Sequence, residues 1–272
     1  MTIHEQSLVL RNGVLMPVLG LGTWLIPDGQ PAYAAVSAAL DLGYRSIDTA
    51  RVYGNEASVG RAVRDSGLAR NSLFITSKLP AEIKEPNAAR ASFEETMAQT
   101  GLDYLDLYLI HAPWPWDDIG RDCTEGNRQV WRVLEEIWAE GRVRAIGVSN
   151  FNGADLDALS ETARIIPMVN QIPFGIGSDQ DATIAYCAAK EIVLQAYSPL
   201  AHGRLLARAE LPTVAARYGR SVAQLCNRYV VQKGLAPLPK TTHPERMKEN
   251  ADIDFVIGPD DMAYLDSLAR AQ

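Results

Sequence analysis

Apolar positions along this chain of 272 residues fall into two patterns that alternate from one end to the other. Short apolar runs with the length of buried strands occupy residues 18–24, 44–48, 73–78, 105–111, 144–149, 167–171, 192–197 and 236–240. Stretches in which apolar residues recur three and four positions apart, as on one face of a helix, occupy residues 32–42, 56–66, 87–100, 127–140, 155–162, 182–189, 213–218, 221–232 and 244–250. The order of these patterns predicts a succession of eight strand–helix units.

Eight such units without a Gly/Ser-rich linker predict an α/β fold, a closed (β/α)₈ TIM barrel that occupies residues 1–272 as a single domain. Residues 7–17 predict a β-hairpin before the barrel, because Asn12-Gly13 stands between two apolar runs. Residues 259–269 predict an extra C-terminal helix packed outside the barrel.

The alternative architecture is an open, doubly wound sheet. When that fold binds a dinucleotide, it carries three spaced glycines after its first strand. Here Gly20 and Gly22 are followed by Leu25 where the third glycine is required, so the pattern favours the barrel.

Composition narrows the class of partner. The net charge of −7 disfavours nonspecific binding to nucleic acid or to an anionic membrane surface. The first residues do not resemble a signal peptide, and no apolar run approaches the length of a membrane span. The three cysteines are scattered and the four histidines lack ligand-like spacing, so neither a disulfide framework nor a metal site is predicted. These features predict a cytoplasmic protein without nucleic-acid or membrane partners.

The polar residues that end the predicted strands are the strongest indication of function. Seven strands end in this way, on Asp48, Lys78, His111, Ser149 with Asn150, Gln171, Tyr197 and Lys240. Each has an ordinary structural explanation, because a strand-ending Asp often caps a helix, a Lys reaches solvent and a His packs in a core. Since the C-terminal ends of parallel barrel strands share one rim, the whole set predicts an active site there.

The loop after Asp48 adds Tyr53, and Asn55 is expected to cap the helix that follows. A tyrosine is a poor acid near neutrality because its reference pKa is about 10, but a neighbouring cation such as Lys78 is expected to lower that pKa. With Asp48 holding the ammonium and His111 bonding the substrate oxygen, the set predicts a proton donor for a carbonyl group. Proton donation is the half of a reduction that hydride transfer leaves unfinished.

The hydride requires a cofactor, since no side chain supplies one. Lys240, His243 and Arg246 stand around the start of the last barrel helix, as basic groups around a phosphate do. Taken alone, a solvated helix start explains these charges equally well. Tyr197 offers a ring that can stack on a nicotinamide.

Four stretches of the chain resemble signature segments of the aldo-keto reductase family; they are residues 43–60, 102–111, 146–151 and 239–250. The resemblance runs from the hairpin to past residue 250 and is greatest to the bacterial branch similar to prostaglandin F synthase and 2,5-diketo-gluconate reductase. It implies a metal-free barrel that binds NADPH in an extended conformation and reduces aldehydes or ketones to alcohols.

The resemblance also implies roles for individual residues. The catalytic tetrad would be Asp48, Tyr53, Lys78 and His111, with Tyr53 as the general acid. The cofactor would be bound by Gly22, Thr23, Trp24, Ser149, Asn150, Gln171, Tyr197, Ser198, Leu200, Lys240, Thr241, Thr242, His243, Arg246 and Asn250. The substrate would contact Trp24, Tyr53, His111 and Trp114. His243 stands at a position that varies in the family, so a preference for NADPH over NADH is expected without being strict.

Two departures from the family pattern concern the substrate pocket. Pro80 and Ala112 stand where members commonly carry tryptophan, which predicts a pocket open to bulky aldehydes or ketones unless Trp114 or Trp116 refills the space. The resemblance implies a monomer whose partner is a small-molecule carbonyl compound. The alternatives are a catalytically silent barrel, as in channel subunits and crystallins, and an isomerase that uses Lys78 as a Schiff base.

Overall fold

The computed structural model describes residues 2–268, in which a short 3₁₀ turn (Ile3–Glu5) precedes the hairpin. Strand β1 (Ser7–Val9) pairs antiparallel with β2 (Leu15–Pro17). Gly13 adopts a φ of 82° in the turn, and the Asn12 side chain accepts a hydrogen bond from Val14 N at 3.2 Å. The left-handed backbone at the glycine is the conformation that an Asn-Gly turn supplies at little cost, so the predicted hairpin is confirmed.

Within residues 2–268, eight parallel strands form one sheet in chain order. They are β3 (Leu21–Gly22), β4 (Ser46–Asp48), β5 (Phe74–Leu79), β6 (Leu105–Ile110), β7 (Val143–Ser149), β8 (Val169–Pro173), β9 (Val193–Tyr197) and β10 (Ala236–Leu238). Hydrogen bonds from Gly20 N to Pro237 O (3.2 Å) and from Gly22 N to Pro239 O (3.1 Å) join the two ends of the sheet. The barrel is confirmed, and the open sheet is excluded.

The seam that closes the barrel is packed closely around two glycines. A Cβ atom added to Gly20 would lie 2.6 Å from a methyl group of Leu238, and one added to Gly22 would lie 3.1 Å from the Leu238 carbonyl oxygen. The two glycines that suggested a dinucleotide fingerprint therefore let β3 approach β10 closely. The close packing of β3 against β10 therefore accounts for the spacing of Gly20 and Gly22.

Helices surround the barrel. They are α1 (Gln30–Asp41), α2 (Glu56–Asp65), α3 (Pro86–Thr100), α4 (Thr124–Ala139), α5 (Gly153–Ser160), α6 (Asp181–Ala189), α7 (Leu211–Arg217), α8 (Val222–Gln232), α9 (Pro244–Ala251) and α10 (Pro259–Ser267). The predicted helix over 259–269 ends at Ser267, and residue 269 lies outside the described residues. No helix in residues 2–268 is long and apolar enough to cross a membrane.

The core lies on both faces of the central strands. Every residue of β5 and of β6 is buried, as is expected when a parallel sheet is covered by helices outside and by packed side chains inside. The large ring of Trp131 on α4 is buried against this sheet, and its Nε1 donates to the Ile165 carbonyl at 3.0 Å. Rigid strands of this kind hold their C-terminal ends at fixed positions on the rim.

Candidate active site

The C-terminal rim brings together the residues proposed from the strand ends. Asp48 ends β4, Lys78 lies one residue before the end of β5, and His111 directly follows β6. Tyr53 closes a short 3₁₀ turn (Arg51–Tyr53) in the loop after β4. Because these strands are parallel neighbours, the four side chains meet above the barrel.

Lys78 is the centre of this cluster and is fully buried. Its Nζ donates hydrogen bonds to Asp48 Oδ1 at 2.6 Å and to the Thr49 carbonyl at 2.9 Å. It also donates to Tyr53 OH at 3.3 Å. Burial by itself lowers the pKa of an ammonium and is the largest single influence, but the interactions with Asp48 and Tyr53 together outweigh it and the pKa of Lys78 is raised. The lysine therefore carries its positive charge in the folded protein.

The acidity of Tyr53 differs from the sequence-based expectation. Its pKa is raised above the usual value of about 10 because burial of the phenolate outweighs the attraction of Lys78. The expected lowering is therefore wrong in its net direction, although the lysine does act in the direction proposed. Near neutral pH the hydroxyl keeps its proton, which a proton donor requires.

His111 is neutral at physiological pH. Burial, and secondarily the Lys78 charge, hold the pKa of His111 well below its usual value. Its Nε2 lies 3.5 Å from Tyr53 OH, whereas among residues 2–268 its buried Nδ1 has no hydrogen-bond partner. A buried N–H without a partner is rarer than a buried acceptor without one. The proton is therefore best assigned to Nε2, where His111 can donate it to an oxygen above the tyrosine.

Ser149, Asn150 and Tyr197 form a connected polar edge beside the tetrad. Asn150 Nδ2 donates to Ser149 Oγ and to the His111 carbonyl, both at 3.0 Å. Tyr197 OH donates to Asn150 Oδ1 at 2.8 Å. Asn150 has a φ of 64°, a left-handed conformation that asparagine tolerates and that turns its amide back toward β6. The residues proposed to hold a carboxamide and a nicotinamide are thus contiguous.

Gln171 has a contact that was not foreseen from the sequence. Its Nε2 donates to Asp48 Oδ2 at 2.7 Å and to Gln195 Oε1 at 3.0 Å. Gln171 therefore fixes the carboxylate oxygen that Lys78 does not contact. Gln195, fully buried in the middle of β9, was missed; its signal was a polar residue in an otherwise apolar predicted strand.

The loop after β3 is tied to the tetrad by backbone contacts. Thr23 is fully buried, and its hydroxyl donates to the Asp48 carbonyl at 2.9 Å. Asn55 occupies the N-cap position of α2, but its side chain does not cap the helix. Instead, its Nδ2 donates to the carbonyls of Thr23 (3.0 Å) and Ile26 (2.9 Å), so it holds the loop that presents Trp24.

The loop after β9 reaches across to that tryptophan. The rings of Trp24 and His202 meet edge to face with centroids 5.5 Å apart. Ser198, Ala201 and His202 have positive φ angles of 51°, 47° and 57°, which bends this loop sharply over the rim. Leu200, proposed with Ser198 to line the middle of the cofactor, lies in the same bend and is half-buried. His202 was not identified from the sequence.

The residues proposed for the adenosine phosphate lie around the start of α9. Lys240, Thr242, His243 and Arg246 are exposed, whereas Thr241 and Asn250 are buried. Within the described part of the chain, no carboxylate lies within 4.0 Å of Lys240 or Arg246, so both cations are available to an anion. His243 contacts Glu245 at 3.4 Å, and Asn250 Oδ1 accepts from Asn227 Nδ2 at 3.1 Å. Unpaired cations at a helix N-terminus fit a phosphate group.

Of the two tryptophans considered for refilling the pocket, Trp116 is the one that packs beside His111. The rings of His111 and Trp116 are perpendicular with centroids 5.6 Å apart, and the rings of Trp114 and Trp116 meet edge to face with centroids 5.1 Å apart. Ala112 is fully buried, whereas Pro80 is half-buried. Of the outcomes considered for this pocket, the structure shows a tryptophan occupying the space beside the histidine.

Residues 2–268 contain no group of three or more His, Cys, Asp and Glu side chains placed to hold a metal ion. The polar groups of the rim are an ammonium paired with a carboxylate, carboxamides, hydroxyls and an imidazole. Groups of these kinds can hold a carbonyl oxygen and transfer a proton to it.

Comparison with known proteins covers nearly the whole chain. Residues 18–270 match the aldo/keto reductase family. A glyoxal reductase of Bacillus subtilis is 43% identical over 270 residues, which cover 99% of this chain and 95% of that protein. The structure of an aldo-keto reductase enzyme from a Medee basin deep-sea metagenome library has a TM-score of 0.90 at 36% identity, covering 98% of this chain and 96% of that one. The Bombyx mori aldo-keto reductase, solved in complex with NADP, has a TM-score of 0.86 at 31% identity, covering 96% and 92%.

The match to the family, the closed barrel and the polar rim lead to one assignment. The family match and the relatives support an oxidoreductase that acts on carbonyl groups. On these grounds this chain belongs to the aldo/keto reductase family.

Proposed function

We propose that this protein reduces aldehydes or ketones to alcohols with NADPH as the hydride donor. The observation that carries the proposal is the position of the Tyr53 hydroxyl, 3.3 Å from the Lys78 ammonium and 3.5 Å from His111 Nε2, on the rim of the barrel. A carbonyl oxygen placed above these groups would meet a proton donor and a hydrogen-bond donor. When bound, the cofactor supplies the hydride.

The residues of this chain divide the proton chemistry among them. His111 donates Nε2–H to the carbonyl oxygen and orients it. Tyr53 gives its proton to the same oxygen as negative charge develops there, because an alkoxide is a far stronger base than a phenolate. Lys78 stabilises the phenolate that remains, and Asp48 with Gln171 holds the ammonium in position.

Residues on three sides of the rim would hold the cofactor. We assign the carboxamide to Ser149, Asn150 and Gln171, the nicotinamide ring to Tyr197, and the phosphate of the adenosine end to the cations beside α9. The remaining contacts are assigned to Gly22, Thr23, Trp24, Ser198, Leu200, Thr241, Thr242, His243 and Asn250. The Bombyx mori relative solved with NADP supports this choice of cofactor.

The substrate is proposed to be an apolar or aromatic carbonyl compound of low molecular weight. Large hydrophobic side chains remain exposed around the rim, among them Trp24 (46%), Val52 (49%) and Trp116 (39%). Exposed apolar groups that surround a polar centre are typical of a small-molecule site. We further propose that the protein is a cytoplasmic monomer acting as one domain, without nucleic-acid or membrane partners.

The experiment that tests the function follows NADPH oxidation with a panel of aldehydes and ketones. The wild type is compared with Tyr53→Phe and with Tyr264→Phe, which alters an exposed tyrosine on α10. We expect turnover in the wild type and in the control, and loss of turnover with retained NADPH binding in Tyr53→Phe. NADPH binding without turnover of any carbonyl would instead favour the silent barrel.

The isomerase alternative requires a neutral Lys78 amine, whereas carbonyl reduction as proposed here uses its ammonium form. A Schiff base forms from a neutral amine, but the interactions with Asp48 and Tyr53 together outweigh burial and raise the pKa of this lysine. If this protein bound no nicotinamide cofactor and isomerised a sugar-like carbonyl compound, our proposal would be contradicted.

A further inference from the structure

The backbone that follows the histidine of the rim is held by side chains from three other elements. Its successive carbonyl groups are those of His111, Ala112 and Pro113. The first accepts from Asn150 Nδ2 at 3.0 Å, after β7. The second accepts from Lys84 Nζ at 3.0 Å, in the loop between β5 and α3. The third accepts from Asn127 Nδ2 at 2.8 Å, on α4.

Lys84 and Asn127 act as one unit. Lys84 Nζ also donates to Asn127 Oδ1 at 2.7 Å, so each side chain fixes the other while both fix the segment after the histidine. The first turn of α4 is brought close to the lysine by Gly126, where an added Cβ would lie 2.7 Å from Lys84 Cβ. We call Lys84 and Asn127 together the carbonyl clamp.

Charge pairing does not explain the burial of this lysine. Within residues 2–268 no carboxylate lies within 4.0 Å of Lys84 Nζ. Burial lowers the pKa of Lys84 to about 8, so the surroundings disfavour its ammonium form. The Lys84 side chain instead contributes two hydrogen bonds, to the Ala112 carbonyl and to Asn127 Oδ1.

The clamped segment carries the aromatic residue that contacts the histidine. Trp116 follows Pro113 by three residues and lies perpendicular to the His111 ring. Its backbone N–H donates to Glu82 Oε1 at 3.3 Å, in the same loop that supplies Lys84. The loop between β5 and α3 therefore holds this segment at two points, at Ala112 and at Trp116.

We propose that Lys84 is a positioning residue of the carbonyl-reduction site, which with Asn127 fixes the backbone after His111 and thereby places Trp116 against the histidine as one wall of the substrate pocket. The inference rests on the proposed function. A bulky aromatic carbonyl compound would contact the Trp116 wall, whereas a small aldehyde would not depend on it. The carbonyl clamp thus sets the preference between substrates through the position of one ring.

The first test observes the position of the ring without cofactor or substrate. Protein labelled in its histidines is examined by NMR, and His111→Asn identifies the His111 ring signals. The Trp116 ring current shifts these signals, so we expect Lys84→Met to move them in the same direction as Trp116→Ala. Lys190→Met, which alters an exposed lysine at the end of α6, should leave them in place. Wild-type His111 shifts in Lys84→Met would overturn the proposal.

The second test is kinetic. For Lys84→Met we expect KM for a bulky aromatic ketone to rise roughly tenfold, with kcat reduced by less than about threefold, because His111 keeps its own hydrogen bonds. KM for a small aldehyde and the Kd of NADPH should stay near the wild-type values. Equal losses for both substrates, or weaker NADPH binding, would contradict a positioning role.

A second variant guards against misfolding of the first. Asn127→Ala leaves Lys84 in place but removes the other half of the carbonyl clamp, and we expect the same selective rise in KM. If the wild-type protein reduces no carbonyl compound, the proposed function fails while the NMR comparison still decides the position of the ring.

Discussion

Two lysines six residues apart use burial in opposite ways. Lys78 is fully buried, contacts the Asp48 carboxylate at 2.6 Å, and has a raised pKa. Lys84 is half-buried, contacts a carbonyl and an amide oxygen, and has a pKa lowered to about 8. The comparison separates two uses of one residue type. At Lys78 the surroundings preserve a charge, and at Lys84 they use the length and the donors of the side chain.

The largest effect is expected from removing the charge that the site preserves. Lys78→Met should lower kcat by about 10²- to 10⁴-fold, because the Tyr53 phenolate loses its stabilising cation. It should also cost about 3–5 kcal/mol in the free energy of unfolding, since Asp48 is left as an unpaired buried carboxylate. Turnover assays and denaturant unfolding measure the two effects.

A double variant separates these effects. Lys78→Met combined with Asp48→Asn should recover much of the lost stability and none of the lost turnover. Recovery of turnover would show that the charge of Lys78 is not what the reaction uses.

The pH dependence of stability should have opposite signs at the two lysines. At Lys84 the folded pKa of about 8 lies below the ordinary 10.5, so the native state releases its proton first. Relative to Lys84→Met, the wild-type free energy of unfolding should therefore rise between pH 8 and 10.5, by about 3 kcal/mol in total.

At Lys78 the folded pKa lies above the unfolded one. Its contribution to stability is complete below pH 10.5 and is lost as the pH rises through the folded pKa. Denaturant unfolding of the wild type and of both Met variants from pH 7 to pH 10.5 should therefore show a rising difference for Lys84→Met and a constant difference for Lys78→Met, because the loss at Lys78 begins only above that range. Parallel curves for the two variants would remove the distinction drawn here.

The pH profile of turnover should reflect the charge of Lys78 and not the charge of Lys84. The pKa of His111 is held well below its usual value by burial and by Lys78, and the pKa of Tyr53 is raised by burial. Both groups therefore keep their working protonation states across the neutral range. We expect kcat for a small aldehyde to change less than about threefold between pH 6 and 9. A transition near pH 6.5 would mean that His111 titrates as an ordinary histidine.

The smallest effect concerns a buried acid behind the site. Glu56 on α2 accepts a hydrogen bond from Ser77 Oγ at 2.6 Å, and burial raises the pKa of Glu56. A raised folded pKa means that stability is lost as the pH rises above the unfolded value of 4.5. Glu56→Gln should therefore raise the melting temperature slightly at pH 7, and the gain should disappear near pH 4. A lower melting temperature at pH 7 would show that the carboxylate is needed.

The sequence was sufficient for the barrel and for the rim because both follow from periodicity. Apolar runs mark parallel strands, and a polar residue at the end of each strand has to lie on the common rim. That argument located Asp48, Lys78 and His111 without any knowledge of contacts. The bounds of the strands were less accurate, since β3 is Leu21–Gly22 where the apolar pattern predicted residues 18–24.

Residues that act through backbone carbonyls could not be found in this way. Lys84 lies in a loop and Asn127 lies in the first turn of a helix, where no period ties a side chain to a direction. Asn55 shows the same limit, because an N-cap position does not reveal that its amide bonds two carbonyls of another loop. The direction of the Tyr53 pKa shift could not be predicted either, because the burial of its hydroxyl depends on how the rim is assembled.

The seam between β3 and β10 has a consequence for the binding of the proposed cofactor. Gly22 and Lys240 stand on its two sides, and both are assigned to cofactor contacts. A molecule that binds both sides would bridge the position where the first and last strands of the barrel meet. Cofactor affinity and barrel integrity then become linked quantities, because a ligand that binds the closed seam better than the open one shifts their balance by mass action.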